Sequence, residues 1–192
     1  MTLSFNQNCS KKIIKRAQRG DKFALTQIYH AYKQPIFNLA FHMLRDEHRA
    51  NDVLQTVMLK MMDSISSLSD SNKLNGWIKR LSYNSVIDII RANQRFDTVS
   101  NNESFDYSAS ESLSIINSAH WDLEHYLEIL DERERIVVWL YAVEGYSHKE
   151  ISQKLSVSEQ NSRVIYSRAI KCLKQLVKEQ EKTNSRAGVS NE

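Results

Sequence analysis

An all-helical chain is expected from three features of the sequence. Only four Gly and one Pro occur in 192 residues, which leaves little material for hairpin turns. Apolar residues recur at three- and four-residue steps, most cleanly at Ala50, Val53, Leu54, Val57, Met58, Met61, Met62 and Ile65. Residues 96–118, FDTVSNNESFDYSASESLSIINS, break that pattern with Ser, Asn and acids and sustain no helical period. They read as a flexible linker, so two small helical domains are expected, over residues 10–95 and 123–178, with an acidic tether at 96–122. As a random coil, such a tether spans roughly 25 Å.

In the first domain, residues 10–19 form a short helix stopped at Gly20, and Asp21 caps the next one. That second helix carries Phe23, Ile28, Tyr29, Tyr32, Ile36, Phe37, Leu39, Ala40, Phe41 and Leu44. Pro35 is expected to kink or break it, because proline lacks an N–H and its ring collides with the preceding turn. The third helix spans residues 47–64; its Met-rich stripe reads as core filling, and Asp52, Gln55, Thr56 and Lys60 fall on its exposed side. A Ser-rich loop, SSLSDSN at residues 66–72, then leads into GWIKRLSYNSVIDIIRANQR at 76–95.

On that last helix Trp77, Arg80, Asn84, Asp88, Arg91 and Arg95 fall within about a third of the circumference. Ile78, Leu81 and Ile89 flank this stripe on one side, and Tyr83, Val86, Ile87 and Ile90 on the other. Two readings are open: a ladder of hydrogen-bonding groups facing a nucleic acid, or an internal network of locally paired side chains.

In the second domain, helices at 123–129 and 132–143 meet at Leu130 and Asp131, and Gly145 ends the second. Ser147 caps a short helix with Glu150 at the capping-box position, and that helix buries Ile151 and Leu155. After the turn Ser156-Val157-Ser158, Ser158 caps a helix from Glu159 to about Lys178, and the polar tail 179–192 is expected to be disordered. A short helix, a tight turn and a longer helix with a polar start is how a recognition helix is delivered to the major groove, although an ordinary helical hairpin has the same outline. In the former reading Gln160, Asn161 and Arg163 face base edges, with Arg168, Lys171 and Lys174 nearer phosphates.

Charge is segregated along the chain. Residues 1–95 hold fifteen Lys or Arg against seven Asp or Glu, whereas residues 96–122 hold five acids and no base. Residues 123–150 sum to −4 and 151–192 to +4. Two basic bodies on an acidic tether suggest two polyanion-binding modules. No run of apolar residues is long enough to span a membrane, and the start MTLSFNQNCSKK lacks a secretory pattern, so a soluble cytoplasmic protein is expected. Cys9 and Cys172 are too few for a disulfide framework, and the six His have no ligand-like spacing, so neither a metal nor another cofactor is expected. With no catalytic pair and no phosphate-cradling Gly loop, neither an enzyme nor a small-molecule substrate is expected.

Five blocks, GDKFALTQIYHAY, ANDVLQTVMLKMM, GWIKRLSYNSVIDIIR, LDERERIVVWLYAVEGYSHKEISQKLSVSEQ and SRAIKCLKQL, together resemble the extracytoplasmic-function (ECF) sigma factors of bacterial RNA polymerase over residues 18–177. The resemblance implies that the first three blocks form the promoter-melting region 2 and the later two the minus-35-binding region 4. It implies that Asp52 and Gln55, with Leu59 and Lys60 nearby, dock on the clamp helices of the polymerase's largest subunit. It further implies that Asn84 contacts the unpaired non-template strand of the minus-10 element, that Arg80, Arg91 and Arg95 hold phosphates, and that the 66–75 loop captures a flipped base. Trp77 matches as well and reads as a core anchor before a base-stacking group. Ser158, Gln160, Asn161, Arg163, Arg168 and Lys171 would meet the minus-35 duplex. Core RNA polymerase, promoter DNA and an anti-sigma factor are the implied partners, with no membrane insertion of the chain itself. Two residues depart from the family pattern: Ser162 stands where a core Val is usual, and Ile165 where a DNA-facing Arg is usual. A looser region 4, or an unusual minus-35 sequence, is the expected consequence. A helix-turn-helix regulator acting without the polymerase would use residues 123–177 similarly but leaves Asp52, Gln55 and the Asn84 stripe without a role.

Overall fold

The computed structural model describes residues 5, 7–93 and 127–187, and by its contacts the chain divides into two units, 1–97 and 98–192. All regular elements among the described residues are helical. None of these helices is long and apolar enough to cross a membrane. The expected tether, Arg95 and residues 123–126 lie outside the described residues.

Unit one is a four-helix body. Helix α1, Lys11–Gln18, starts at Ser10, whose Oγ accepts the Ile13 amide at 3.3 Å. The chain then reverses at Gly20, whose φ of 81° is a backbone conformation that side-chain-bearing residues rarely adopt. Asp21 caps α2, Lys22–Leu44, by accepting the Phe23 and Ala24 amides, and also accepts the Arg16 Nε at 2.6 Å. That hydrogen bond, together with the capped amides, holds the Asp21 carboxyl below the usual carboxylate range.

Of the kink or break expected at Pro35, the break does not occur: helix α2 runs unbroken through it. The proline forfeits one backbone hydrogen bond, but Tyr32, Ile36 and Leu39 around it are fully buried. At roughly 1.5–3 kcal/mol for each buried side chain, this packing outweighs the local defect. Arg45 closes α2 in the left-handed region at φ 51°, and Asp46 caps α3, Glu47–Ser64. Ala50, Val53, Val57, Met58 and Met61 of α3 enter the core, but Met62 stays 41% exposed rather than filling it. Two short 3-10 turns, Ile65–Ser67 and Ser71–Lys73, lead to α4, Leu74–Asn93. Helix α4 packs on α2 and α3 with Ile78, Tyr83, Val86, Ile87 and Ile90 buried.

In unit two, residues 127–129 are helical and Asp131 caps α5, Glu132–Val138, in a full capping box with Glu134. Buried Arg135 donates from Nε to the Leu127 carbonyl at 2.9 Å and from a terminal nitrogen to the Leu130 carbonyl at 2.8 Å, securing the end of the preceding helical turn. The helix expected to continue evenly to Val143 instead widens into a π turn, Trp139–Val143. The Glu144 amide reaches back to the Trp139 carbonyl, and the Tyr146 amide to that of Leu140, as Gly145 takes φ 73°. Ser147 and Glu150 form the second capping box, at the start of α6, His148–Leu155. Ser156 turns the chain at φ 56°, and α7 follows, Glu159–Ala187. Helix α7 thus overruns its expected end near Lys178 and occupies most of the tail expected to be disordered; the first helix breaker beyond Lys178 is Gly188.

Candidate nucleic-acid interface

On α4, Arg80 and Asp88 are exposed, and Asn84 and Arg91 are half-exposed, backed by the apolar residues that seat the helix. Trp77 is half-buried, so it is not a full core anchor. The stripe is not a uniform ladder. Asp88 turns its carboxylate toward Lys60 of α3, Oδ2 to Nζ 3.6 Å, and Lys60 also donates to Ser85 Oγ at 3.4 Å. Both charged side chains are about half exposed, so this ion pair is worth about 0–1 kcal/mol. Its effect is local: it offsets an acidic group within an otherwise basic face, and it places Lys60 on the seam between α3 and α4.

The outer face of α3 carries Asp52, Gln55 and Leu59, all exposed, with Leu59 at 63%. Exposed Met62 continues the same face at helical spacing. The sequence pattern assigned Met62 to the core; its three-residue step from Leu59 was the signal for the outer face.

The loop between α3 and α4 is pinned at both ends. Gln18 Nε2 donates to the carbonyls of Ile65 at 3.2 Å and Leu68 at 2.7 Å. At the far end the Tyr32 hydroxyl donates to Asn75 Oδ1, while Asn75 Nδ2 donates to the Gln7 carbonyl at 3.2 Å and the Gln7 amide returns to Oδ1 at 3.3 Å. Beside this clasp lies an open cavity of about 490 Å³, with Ser10, Lys11, Tyr32, Ser71, Asn72 and Asn75 among its lining residues. Neither the Asn75 clasp nor Lys11 was foreseen from the sequence, because these groups meet only when the N-terminal segment folds back onto the start of α4.

In unit two, α7 buries Ser162, Tyr166, Ala169 and Leu173 and turns Gln160, Val164, Arg168 and Lys171 the opposite way. Gln160, Asn161 and Lys171 are exposed, while Arg168 and Lys174 are half-exposed. Ser158 Oγ accepts the Asn161 amide at 3.0 Å, so this hydroxyl acts as the helix cap. Arg163 lies on the flank and pairs with Glu159 at 2.6 Å, which holds the Glu159 carboxyl below its usual range. Ile165 is half-buried.

The looseness expected at Ser162 is not found. Ser162 is fully buried, and its Oγ lies 3.0 Å from Nδ1 of buried His148. Burial, and next the charge of Arg163, hold the His148 pKa below the ordinary histidine value. His148 escaped notice in the sequence because nothing in its spacing marks a contact across fourteen residues.

Two family models match the chain: Sigma-70 region 2 over residues 28–96 and Sigma-70 region 4 over residues 120–173. The RNA polymerase sigma factor SigZ of Bacillus subtilis is 27% identical over 153 residues, covering 80% of this chain and 86% of SigZ. The ECF RNA polymerase sigma factor SigM of the same organism is 27% identical over 154 residues, covering 79% of this chain and 94% of SigM. Among solved structures, CnrH in complex with the cytosolic domain of CnrY aligns over 88% of this chain and 96% of that one, with 19% identity and a TM-score of 0.47. With region 2 ending in α4, region 4 containing the α6–turn–α7 unit, and relatives aligned across most of its length, the chain belongs to the ECF sigma factors of the sigma-70 family.

Proposed function

We propose that this sigma factor divides promoter recognition between its units: α3 docks core RNA polymerase, α4 and the adjoining loop open the minus-10 element, and α7 reads the minus-35 duplex. One observation carries the assignment. Helices α4 and α7, each with a polar, partly basic outer face on a firmly packed back, fall one in each matched region.

On α3, Asp52, Gln55 and Leu59, extended by Met62, supply an exposed apolar pair beside polar groups, the chemistry of an interface centre. Lys60 contributes from the edge of that face. Along α4, Asn84 offers hydrogen bonds to an unstacked base, and Arg80, Arg91 and Arg95 supply positive charge for the displaced strand. Extruding a base costs a few kcal/mol, offset by a receiving pocket and by basic groups that track the backbone. The cavity beside the 66–75 loop is the proposed receptor. At the minus-35 element, Gln160 and Asn161 meet base edges, while Arg163, Arg168 and Lys171 meet phosphates, and the capped Ser158 brings the helix N-terminus toward the backbone. The chain works in the cytoplasm by binding alone, leaving bond formation to the polymerase, and an anti-sigma factor restrains it.

The test is transcription from a bacterial genomic library by core polymerase with and without the protein. New start sites sharing a two-block upstream motif are the expected outcome. Their absence, with a folded protein by circular dichroism, would overturn the assignment.

A further inference from the structure

Ser162 is a polar residue with no exposure, set among Tyr166, Ala169 and Leu173 on the packed face of α7. A hydroxyl in that position costs free energy unless it is hydrogen-bonded. Its partner at 3.0 Å is Nδ1 of His148, the first residue of α6, which is only 4% exposed. The other ring nitrogen, Nε2, has no hydrogen-bond partner among the described residues, so this bond is the ring's one directional tie there. Aromatic contacts complete the site. Tyr141 of the π turn stacks on His148 with centroids 4.4 Å apart and planes 17° apart, and Tyr166 of α7 meets it edge-on at 5.6 Å. Stacked and apolar surfaces tolerate small slips, whereas a hydrogen bond demands a distance and an angle. This one joins α6 to the first turn of α7, next to exposed Asn161 and two residues from exposed Gln160.

We propose that the His148–Ser162 hydrogen bond sets the rotation of α7 against α6, making both residues positioning residues for duplex reading by Gln160 and Asn161. The inference rests on the proposed role of α7 in DNA recognition. The groups facing the ring are Tyr141 from the π turn and Tyr166, Arg163 and Glu159 from α7. Burial, and next the charge of Arg163, favour the neutral ring, while Ser162 Oγ can either donate to or accept from Nδ1, so the tie rests on the 3.0 Å geometry and not on one charge state.

The test uses the full chain in two arms. In the first, hydrogen–deuterium exchange compares wild type with Ser162→Ala. Exchange in the first turn of α7 should rise about tenfold, in keeping with one lost buried hydrogen bond, while α3 and α4 keep their protection. Unchanged exchange would overturn the lock. In the second arm, holoenzymes compare a mapped promoter with versions carrying single changes in the upstream block. Ser162→Ala should lose about tenfold in discrimination. The double variant His148→Phe with Ser162→Val, which replaces the polar pair by an apolar one, should remain folded yet misread the block. Wild-type discrimination in the double variant would reduce the pair to packing and overturn the positioning role. A wild-type holoenzyme indifferent to the upstream block would instead remove α7 from duplex reading, and exchange would still decide whether the lock exists.

Discussion

Helices α4 and α7 present similar chemistry outward, Asn and Arg on one and Gln, Asn, Arg and Lys on the other, but they are seated by different forces. Helix α4 lies on a broad apolar back, with Ile78, Val86, Ile87 and Ile90 each at most 3% exposed. Its orientation is shared among many apolar contacts, with polar ties only at its first turn, through Asn75, and on its half-exposed edge, through Ser85 and Asp88 to Lys60. Helix α7 begins with a narrow seat in which a buried serine bonds a buried histidine beneath two tyrosines. A broad apolar seat suits a surface that must hold firm while a duplex is opened against it. A directional seat suits one that must present a few side chains in register to base edges.

The strongest way to break this contrast is to remove part of the apolar seat. Ile90→Ala should destabilise unit one by about 2–5 kcal/mol, seen as an earlier transition in urea. A cost below about 1 kcal/mol would show that α4 is not seated as described. Next in size is the outer face of α3: Asp52→Ala with Gln55→Ala should weaken core-polymerase binding at least tenfold (about 1.4 kcal/mol) with melting unchanged. Wild-type affinity would remove this face from the docking role. Arg163→Ala should weaken upstream duplex binding and lower the slope of log affinity against log salt by about one; an unchanged slope would mean that its pairing with Glu159 keeps it off the phosphate. Smallest of all, Lys60→Met should change unit-one stability by less than about 1 kcal/mol, because its ion pair with Asp88 is half exposed. A larger loss would mean that α4 depends on a polar tie after all, and the contrast with α7 would disappear.

Much of this architecture was legible because local signals agreed with one another. Asp21 after Gly20, and Ser147 with Glu150 three residues on, marked helix starts that the structure places at the expected residues. The misreadings came where distant packing overruled a local rule. Pro35 is tolerated because its neighbours are buried, and Met62 faces outward because the core is already filled by Met58 and Met61. Of the site, the exposed faces of α3, α4 and α7 follow from helical periodicity alone. The Asn75 clasp, the Lys60–Asp88 pair and the His148–Ser162 bond do not, since each joins residues from different elements whose meeting only the fold decides. Ser162 was visible as a departure from the family pattern, but its partner was not.

The division of labour between the two helices is tested most directly by following strand opening and upstream protection together, on one promoter, with holoenzyme carrying Asn84→Ala. Fluorescence of 2-aminopurine in the minus-10 element reports opening, and a hydroxyl-radical footprint reports contact at minus 35. The expected result is a marked loss of opening with the upstream footprint intact. Opening at the wild-type rate, or parallel loss of both signals, would contradict the separation of melting on α4 from duplex reading on α7.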